Sequence, residues 1–203
     1  MKFEYTFEGM KLKVLDETFA GKVLEFYSRN REEFDRYEAS KPDNFYTTEY
    51  ITATLKAEYA ALLKGEFGRF FLFSDDLPDE ILGSVSFFGV TSINRSCRIG
   101  YKIDKNYRKL GLGSLMVKHM LEILTHEKEI HRIEAYIHPE NISSINLVKS
   151  LGFISEGTAY SYVKLNGSWQ DHLRFVYLLI PVSEIWIGIV TPVTLLKIIK
   201  AKH

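Results

Sequence analysis

Between Cys97 and Phe153 the chain alternates strand, helix, strand, helix, with two glycines at the first strand-to-helix junction. Cys97–Ile103 reads as a strand, and Tyr107-Arg108-Lys109-Leu110-Gly111-Leu112-Gly113-Ser114 opens a helix. Arg132–His138 is a second strand. Pro139-Glu140-Asn141-Ile142-Ser143-Ser144 then leads into a short helix closed by Gly152-Phe153. Glycines where a helix begins let backbone amides approach an anion closely, and the helix dipole with its unpaired N–H groups favours negative charge there. A phosphate-bearing cofactor is the first inference.

The rest of the chain extends this segment on both sides. Phe3–Phe7 and Lys11–Leu15 flank Glu8-Gly9 as a strand pair. Phe19–Arg29 is helical, with Phe19, Val23, Phe26 and Tyr27 at core spacing. A capping threonine, Thr47 or Thr48, opens a longer helix whose apolar stripe is Ile51, Leu55, Tyr59 and Leu62, and Gly65 ends it. Arg69–Ser74 and Ile81–Thr91 are strands joined by Asp75-Asp76-Leu77-Pro78-Asp79, and Cys97–Ile103 is the next antiparallel strand. The helix Gly111–His126 buries Leu112, Leu115, Met116, Met120 and Ile123. Ile154–Leu165 and Trp169–Ile180 flank Asn166-Gly167, a strong hairpin signal. The implied class is α+β, a mixed and mostly antiparallel sheet flanked by helices.

At 203 residues the chain fits a single domain, here 1–180, with an appended segment 181–203. Equal numbers of acidic and basic residues leave no global field toward nucleic acid or an anionic membrane. The single cysteine, Cys97, suits a reducing compartment, and the amino-terminal residues do not read as a secretory signal, so a cytoplasmic enzyme is expected. Cys97 reads as a small core filler. Phe67, Phe70, Phe71, Phe73, Phe87 and Phe88 read as strand core rather than an aromatic cage.

A nucleotide-hydrolysing loop would need Gly-Lys-Ser/Thr where Ser114-Leu115 stands, and a dinucleotide fingerprint would need a third glycine where Met116 stands. What fits is Arg/Gln-x-x-Gly-x-Gly/Ala, here Arg108-Lys109-Leu110-Gly111-Leu112-Gly113. With Ile99-Gly100-Tyr101, His131-Arg132-Ile133-Glu134-Ala135, Asn141-Ile142-Ser143-Ser144, Lys149-Ser150-Leu151-Gly152-Phe153, Glu156-Gly157, Gly167 and Asp171, the ordered series resembles the GNAT superfamily of acetyl-CoA-dependent N-acetyltransferases. The likeness is greatest to its ribosomal-protein alanine N-acetyltransferase (RimJ/RimL-like) branch, over roughly residues 10 to 180.

The resemblance implies the GNAT fold, in which the strand before the phosphate turn bulges and splays from its neighbour to pair with the pantetheine arm. Tyr101, Lys102 and Ile103 would lie nearest that arm. The amides from Lys109 through Leu110, Gly111, Leu112 and Gly113 to Ser114 would hold the diphosphate. Arg108 and Lys109 would add positive charge there, or else form a solvated surface pair. Asn141 would hydrogen-bond the arm, cap the following helix, or do both. Asn146 could face the cofactor as well, and Lys149 is assigned to solvent.

In many relatives a tyrosine four residues before the Gly-Phe pair protonates the departing thiolate. Val148 stands there and cannot. The resemblance points instead to Ser144, whose bland alternative is to satisfy a first-turn amide; water is a third donor. Alternation puts Glu134, Tyr136 and His138 on one strand face beside the transfer point. Glu134 and Tyr136 are weak catalytic candidates, Glu134 reading more readily as an ion-pair partner and His138 as a surface residue. Asp171 would either attract a cationic amine or brace the hairpin beside Arg174.

The implied reaction moves an acetyl group directly to a primary amine, a ribosomal-protein N-terminus first, with small-molecule amines and a non-catalytic acyl-CoA-binding module as rivals. No metal, nucleic acid or stable membrane insertion is expected. The apolar run after Pro181 is interrupted by Gly188 and Pro192 and too short to span a bilayer. Packing on the parent domain or on a second subunit, as in a homodimer, would cover it, ahead of a membrane-surface contact.

Overall fold

A computed structural model describes residues 1–165 and 167–179. Strands β1 (Glu4–Phe7) and β2 (Met10–Lys13) form the first hairpin. Helices α1 (Ala20–Arg29), α2 (Arg31–Asp35) and α3 (Thr48–Leu63) follow. Helix α2 is missing from the sequence expectation because five residues are too few for a helical period to register. Thr47 caps α3 by accepting the Tyr50 N–H at 3.2 Å. Tyr59, expected in the buried stripe of α3, is 37% exposed and stacks on Phe3 at 5.5 Å.

Strands β3 (Gly68–Ser74), β4 (Gly83–Thr91) and β5 (Ser96–Ile103) form an antiparallel meander. Helix α4 (Leu112–His126), strand β6 (Arg132–Ile137) and helix α5 (Ile142–Ser150) come next, and a long hairpin of β7 (Ile154–Leu165) and β8 (Ser168–Leu178) follows. Asn166 and the segment 181–203 lie outside the described residues, so the expectations for that turn residue and for the apolar tail are not addressed.

The eight strands make one sheet in the order β1-β2-β3-β4-β5-β6-β8-β7. Every neighbouring pair is antiparallel except β5 and β6. Strand β3 shows why the sheet needs helices on both sides: Phe70 and Leu72 enter the core under α4 and α5, while Phe71 and Phe73 enter a second core with Val23, Phe26, Ile51 and Leu55. Successive strand residues point to opposite faces, so this strand is buried on both. Each such side chain contributes roughly 1.5–3 kcal/mol. On α4, Met116, Val117, Met120 and Leu124 are fully buried, whereas Leu115, expected in that set, is only half-buried.

One expectation about the sheet needs correction. The extra residue between β4 and β5 sits on β4, where the stretch Phe88–Thr91 opposes Arg98–Ser96 and Gly89 takes a left-handed φ of 62°. Strand β5 itself keeps register with β4 through Ile103. The separation expected on its other side is present nonetheless.

Candidate active site

Strand β5 pairs with β6 only at Ser96, Cys97 and Arg98, opposite Arg132, Ile133 and Glu134. Beyond Arg98 the strands part, so the backbone groups of Ile99–Ile103 directed toward β6 meet no strand. An ion-pair ladder stands where the pairing ends. Glu134 accepts from Arg132 at 2.8 Å, Arg98 lies 4.0 Å from it, and Glu156 bridges Arg132 and, at 3.2 Å, Arg174. The gap opens into a cleft of about 940 Å³. Tyr101, Lys102, Ile103, Arg108, Lys109, Gly111, Leu112, Gly113, Ser114, Asn141, Ser144, Asn146 and Tyr136 all line it. Leu110, Glu134 and Asp171 do not.

At one end the chain forms a cradle. Lys109 and Gly111 both have left-handed backbones, with φ of 64° and 80°, which turns successive N–H groups to one side. Leu115 is the first residue of α4 whose N–H finds a backbone acceptor, the Gly111 carbonyl at 3.1 Å, and Gly111 supplies no side-chain cap. The amides of Leu112, Gly113 and Ser114 therefore have no acceptor among the described residues, an arrangement that favours an anion. The two glycines do different work. A Cβ on Gly111 would meet nothing within 4 Å, so its backbone conformation is the requirement; a Cβ on Gly113 would lie 2.9 Å from Leu147 Cδ1 and 3.4 Å from Ile103 Cγ1, so close packing is. Arg108 is drawn into an ion pair with Glu33 of α2, which partly neutralises the charge expected of it, while Lys109 makes no ion pair among the described residues.

The start of the cradle is held by Asp104, which is wholly buried. Its carboxylate accepts from Arg29 Nε at 2.6 Å, Asn30 Nδ2 at 2.7 Å and the Asn106 N–H at 2.9 Å, while Asn30 Oδ1 accepts the Lys105 N–H at 2.8 Å. Burial would raise its pKa, but the hydrogen bonds from Asn30, Arg29 and the Asn106 amide prevail and hold it below the usual carboxylate value. The sequence gives little sign of this node, because Asn30 and Asp104 are 74 residues apart.

Across the gap, Asn141 caps α5: its Oδ1 accepts the Ser144 N–H at 3.2 Å and the Ser143 hydroxyl at 3.0 Å. Its Nδ2 has no partner among the described residues. Capping uses the oxygen and leaves the donor free, so the two readings of Asn141 are compatible. The Ser144 amide is satisfied by Asn141, and the Ser144 side chain lies within hydrogen-bonding reach of the Tyr101 hydroxyl. The Ser144 carbonyl accepts the Tyr101 hydroxyl at 3.2 Å, and burial pushes that phenol up to about 12. Val148 is fully buried in the core, and Lys149 is exposed.

The other end of the cleft is aromatic. Tyr136 stacks on Tyr162 at 4.2 Å, and its hydroxyl donates to Glu134 at 3.0 Å. Tyr162 lies 5.5 Å from His172, His172 lies 5.7 Å from His138, and His138 lies 5.5 Å from Tyr37. A register shift between Ala159 and Val163 on β7 carries Tyr162 toward this row. Asp171 braces that irregularity, accepting the Ser161 N–H at 2.8 Å, where Ser161 has a φ of 47°. Lys102 turns its ammonium from the cleft wall to Glu38, between the rings of Tyr27 and Phe34. Burial holds that ammonium below its ordinary pKa despite the carboxylate.

Glu38, Tyr162 and His172 carry no motif and escape a reading by spacing; the register of the sheet brings Tyr162 and His172 to the cleft, and the bend after α2 brings Glu38. Cys97 is buried, its thiol pushed up to about 12 by burial, as suits a core residue. A smaller hollow of about 270 Å³ beside Asp35, Lys41 and Tyr46 contains groups that already satisfy one another. Among the described residues no cluster of His, Cys, Asp or Glu could hold a metal, and no helix is long and apolar enough to cross a membrane.

A gap lined by free backbone groups, leading to unpaired amides at a helix start, fits an elongated ligand that carries phosphate at one end. The family model described as the acetyltransferase (GNAT) domain matches residues 15–154. The chain is 32% identical over 162 residues to Probable N-acetyltransferase YjcK of Bacillus subtilis, covering 79% of this chain and 89% of the relative. It is 26% identical over 173 residues to the ribosomal protein uS5 alanine N-acetyltransferase of Escherichia coli, covering 85% and 89%. The crystal structure of the ribosomal-protein-S5-alanine acetyltransferase from Vibrio fischeri superposes with a TM-score of 0.82 at 24% identity, covering 87% of this chain and 97% of that one.

Proposed function

The chain belongs to the GNAT acetyltransferase family, and on that premise we propose that it acetylates a protein N-terminal α-amine by direct transfer from acetyl-CoA. The cosubstrate supplies the acetyl group activated as a thioester; the residues of this chain bind, orient and move protons. The amides of Gly111–Ser114, with Lys109, take the diphosphate. Free backbone groups of Ile99–Ile103 and the Asn141 Nδ2 hold the arm. Such positioning accounts for much of the barrier lowering in transfers between bound groups.

One observation carries the reading: the cap of α5 uses the Asn141 oxygen and the Ser144 amide, so the cap does not consume the Ser144 hydroxyl, which stands on the cleft wall beside the Tyr101 hydroxyl. That hydroxyl gives its proton to the departing thiolate, the task Val148 cannot perform. Two features support an N-terminal α-amine over a polycationic small molecule. The uS5 alanine N-acetyltransferase is a relative over most of both chains. In addition, the two carboxylates on the cleft wall, Glu33 and Glu38, are engaged by Arg108 and by Lys102 and Lys41. A binder of polyamines or aminoglycosides needs free negative charge there.

The test is an acceptor screen with acetyl-CoA. Turnover is expected on peptides with the N-termini of ribosomal proteins and a free α-amine. Turnover confined to polyamines, aminoglycosides or amino-acid derivatives would contradict the proposal, and tight acetyl-CoA binding without turnover on any amine would make the chain a binding module.

A further inference from the structure

An acceptor ammonium must lose a proton before its nitrogen can attack a thioester. The side chains that could take it are the titratable groups on the cleft wall. Glu33 is held by Arg108, and Glu38 by Lys102 and Lys41. Glu134 is off the wall, bound by Arg132 and the Tyr136 hydroxyl. The cleft-wall lysines and tyrosines carry their protons at neutral pH, so of the carboxylates and imidazoles His138 and His172 remain, and neither is in an ion pair among the described residues.

We propose that His172 is the general base of the acetyl transfer, accepting the proton of the acceptor ammonium on Nε2. The inference rests on the transferase reading above. His172 is the one buried histidine among the described residues, yet it lines the cleft. Its Nδ1 lies 3.4 Å from the Gln170 carbonyl, so the tautomer protonated at Nδ1 donates there and leaves the Nε2 lone pair available. Nε2 has no partner among the described residues. His138 meets its ring edge-on at 86° from the end of β6, Tyr162 flanks it from β7, and Asp171 is its chain neighbour. His138 accepts the Glu140 N–H on Nδ1 at 3.3 Å.

Burial first, with the neighbouring His138, holds the His172 pKa below 6.5 against the opposing pull of Gln170 and Asp171. The ring is therefore an uncharged acceptor at neutral pH. In the step, the N–H bond of the ammonium breaks and its proton bonds to Nε2. The freed lone pair forms the C–N bond, and the thiolate leaves with the electrons of the C–S bond and takes the Ser144 hydroxyl proton. The remaining excess N–H proton of the new amide restores that hydroxyl, and the proton on His172 returns to solvent through the cleft.

The experiment is the pH dependence of kcat/KM between about pH 5 and about pH 10, for the wild type and His172→Gln, on a peptide with N-terminal alanine or, failing that, the amine chosen by the screen. An α-amine with a pKa near 8 is about one-tenth neutral at pH 7. The variant should then lose about tenfold at pH 7 and recover above about pH 9, its acid limb moving from below 6.5 in the wild type to near 8. Titration of the His172 ring by NMR in the wild type should follow the same acid limb. A pH-independent deficit, an unmoved limb, or a wild-type limb that does not track the His172 ring overturns the assignment. Calorimetry with acetyl-CoA separates the two levels: absent binding in the wild type defeats the transferase reading, whereas binding and turnover with an unmoved limb defeat only His172.

Discussion

The Tyr101 hydroxyl donates to the Ser144 carbonyl at 3.2 Å, tying the unpaired half of β5 to the first turn of α5 across the gap. This bond sets the width of the gap at the height of Asn141 and Ser144. Tyr101→Phe removes it and leaves the ring. A neutral hydrogen bond contributes about 1 kcal/mol, so calorimetry should find acetyl-CoA bound about fivefold more weakly, with little change in fold. Unaltered affinity would mean that α5 is positioned by its apolar face alone.

Ser144→Ala tests the proton donor. The variant keeps the cap, because Asn141 accepts a backbone N–H of residue 144 rather than a side chain. Acetyl-CoA affinity should therefore hold while kcat falls about a hundredfold, a typical scale for losing a positioned acid. A kcat within about twofold of the wild type would assign the proton to water.

Gly111→Ala tests the cradle. The site has room for the methyl group but a φ of 80°, and a side chain in that conformation costs about 1–2 kcal/mol. Because relaxation of φ also redirects the amides of Leu112 and Gly113, acetyl-CoA affinity should drop at least about tenfold. Thermal unfolding should move by only a few degrees. A stable variant with full affinity would separate the cradle from cofactor binding.

Much of this was readable in advance, for reasons that differ by element. The cradle could be recognised because unpaired amides need Gly111 and Gly113 within one turn, and Asn141 because a helix start needs a cap. The core of β3 showed in its phenylalanines. Helix α2 was too short to carry a period. The register shift fell on β4 instead of β5 because one extra residue can be absorbed by either strand of a pair, and Gly89 makes β4 the easier one. The aromatic end of the cleft was hidden: Tyr37, His138, Tyr162 and His172 meet only after β6 and β8 have paired and β7 has slipped register. Ion pairing of Arg108 with Glu33 was equally out of reach, since its partner lies 75 residues away.

Asp104 supports the cradle from below and supplies a pH signature. Its folded pKa is depressed, so its contribution to stability is complete above the ordinary carboxylate value near 4 and fades as pH falls through the lower folded value. Asp104→Asn keeps the shape but loses the charge opposite Arg29. Chemical denaturation at pH 7 should show a loss of about 2 kcal/mol, and the difference from wild type should narrow below about pH 4. An equal difference at pH 3 and pH 7 would rule out the carboxylate charge as its source.

The central claim is that the amides opening α4 bind the diphosphate of acetyl-CoA. Backbone amide resonances followed by NMR during titration with acetyl-CoA test it directly. The account predicts that the Leu112, Gly113 and Ser114 resonances shift strongly and saturate together with those of Tyr101 and Asn141. Saturable binding that leaves these three amides unmoved while shifting residues elsewhere would contradict it.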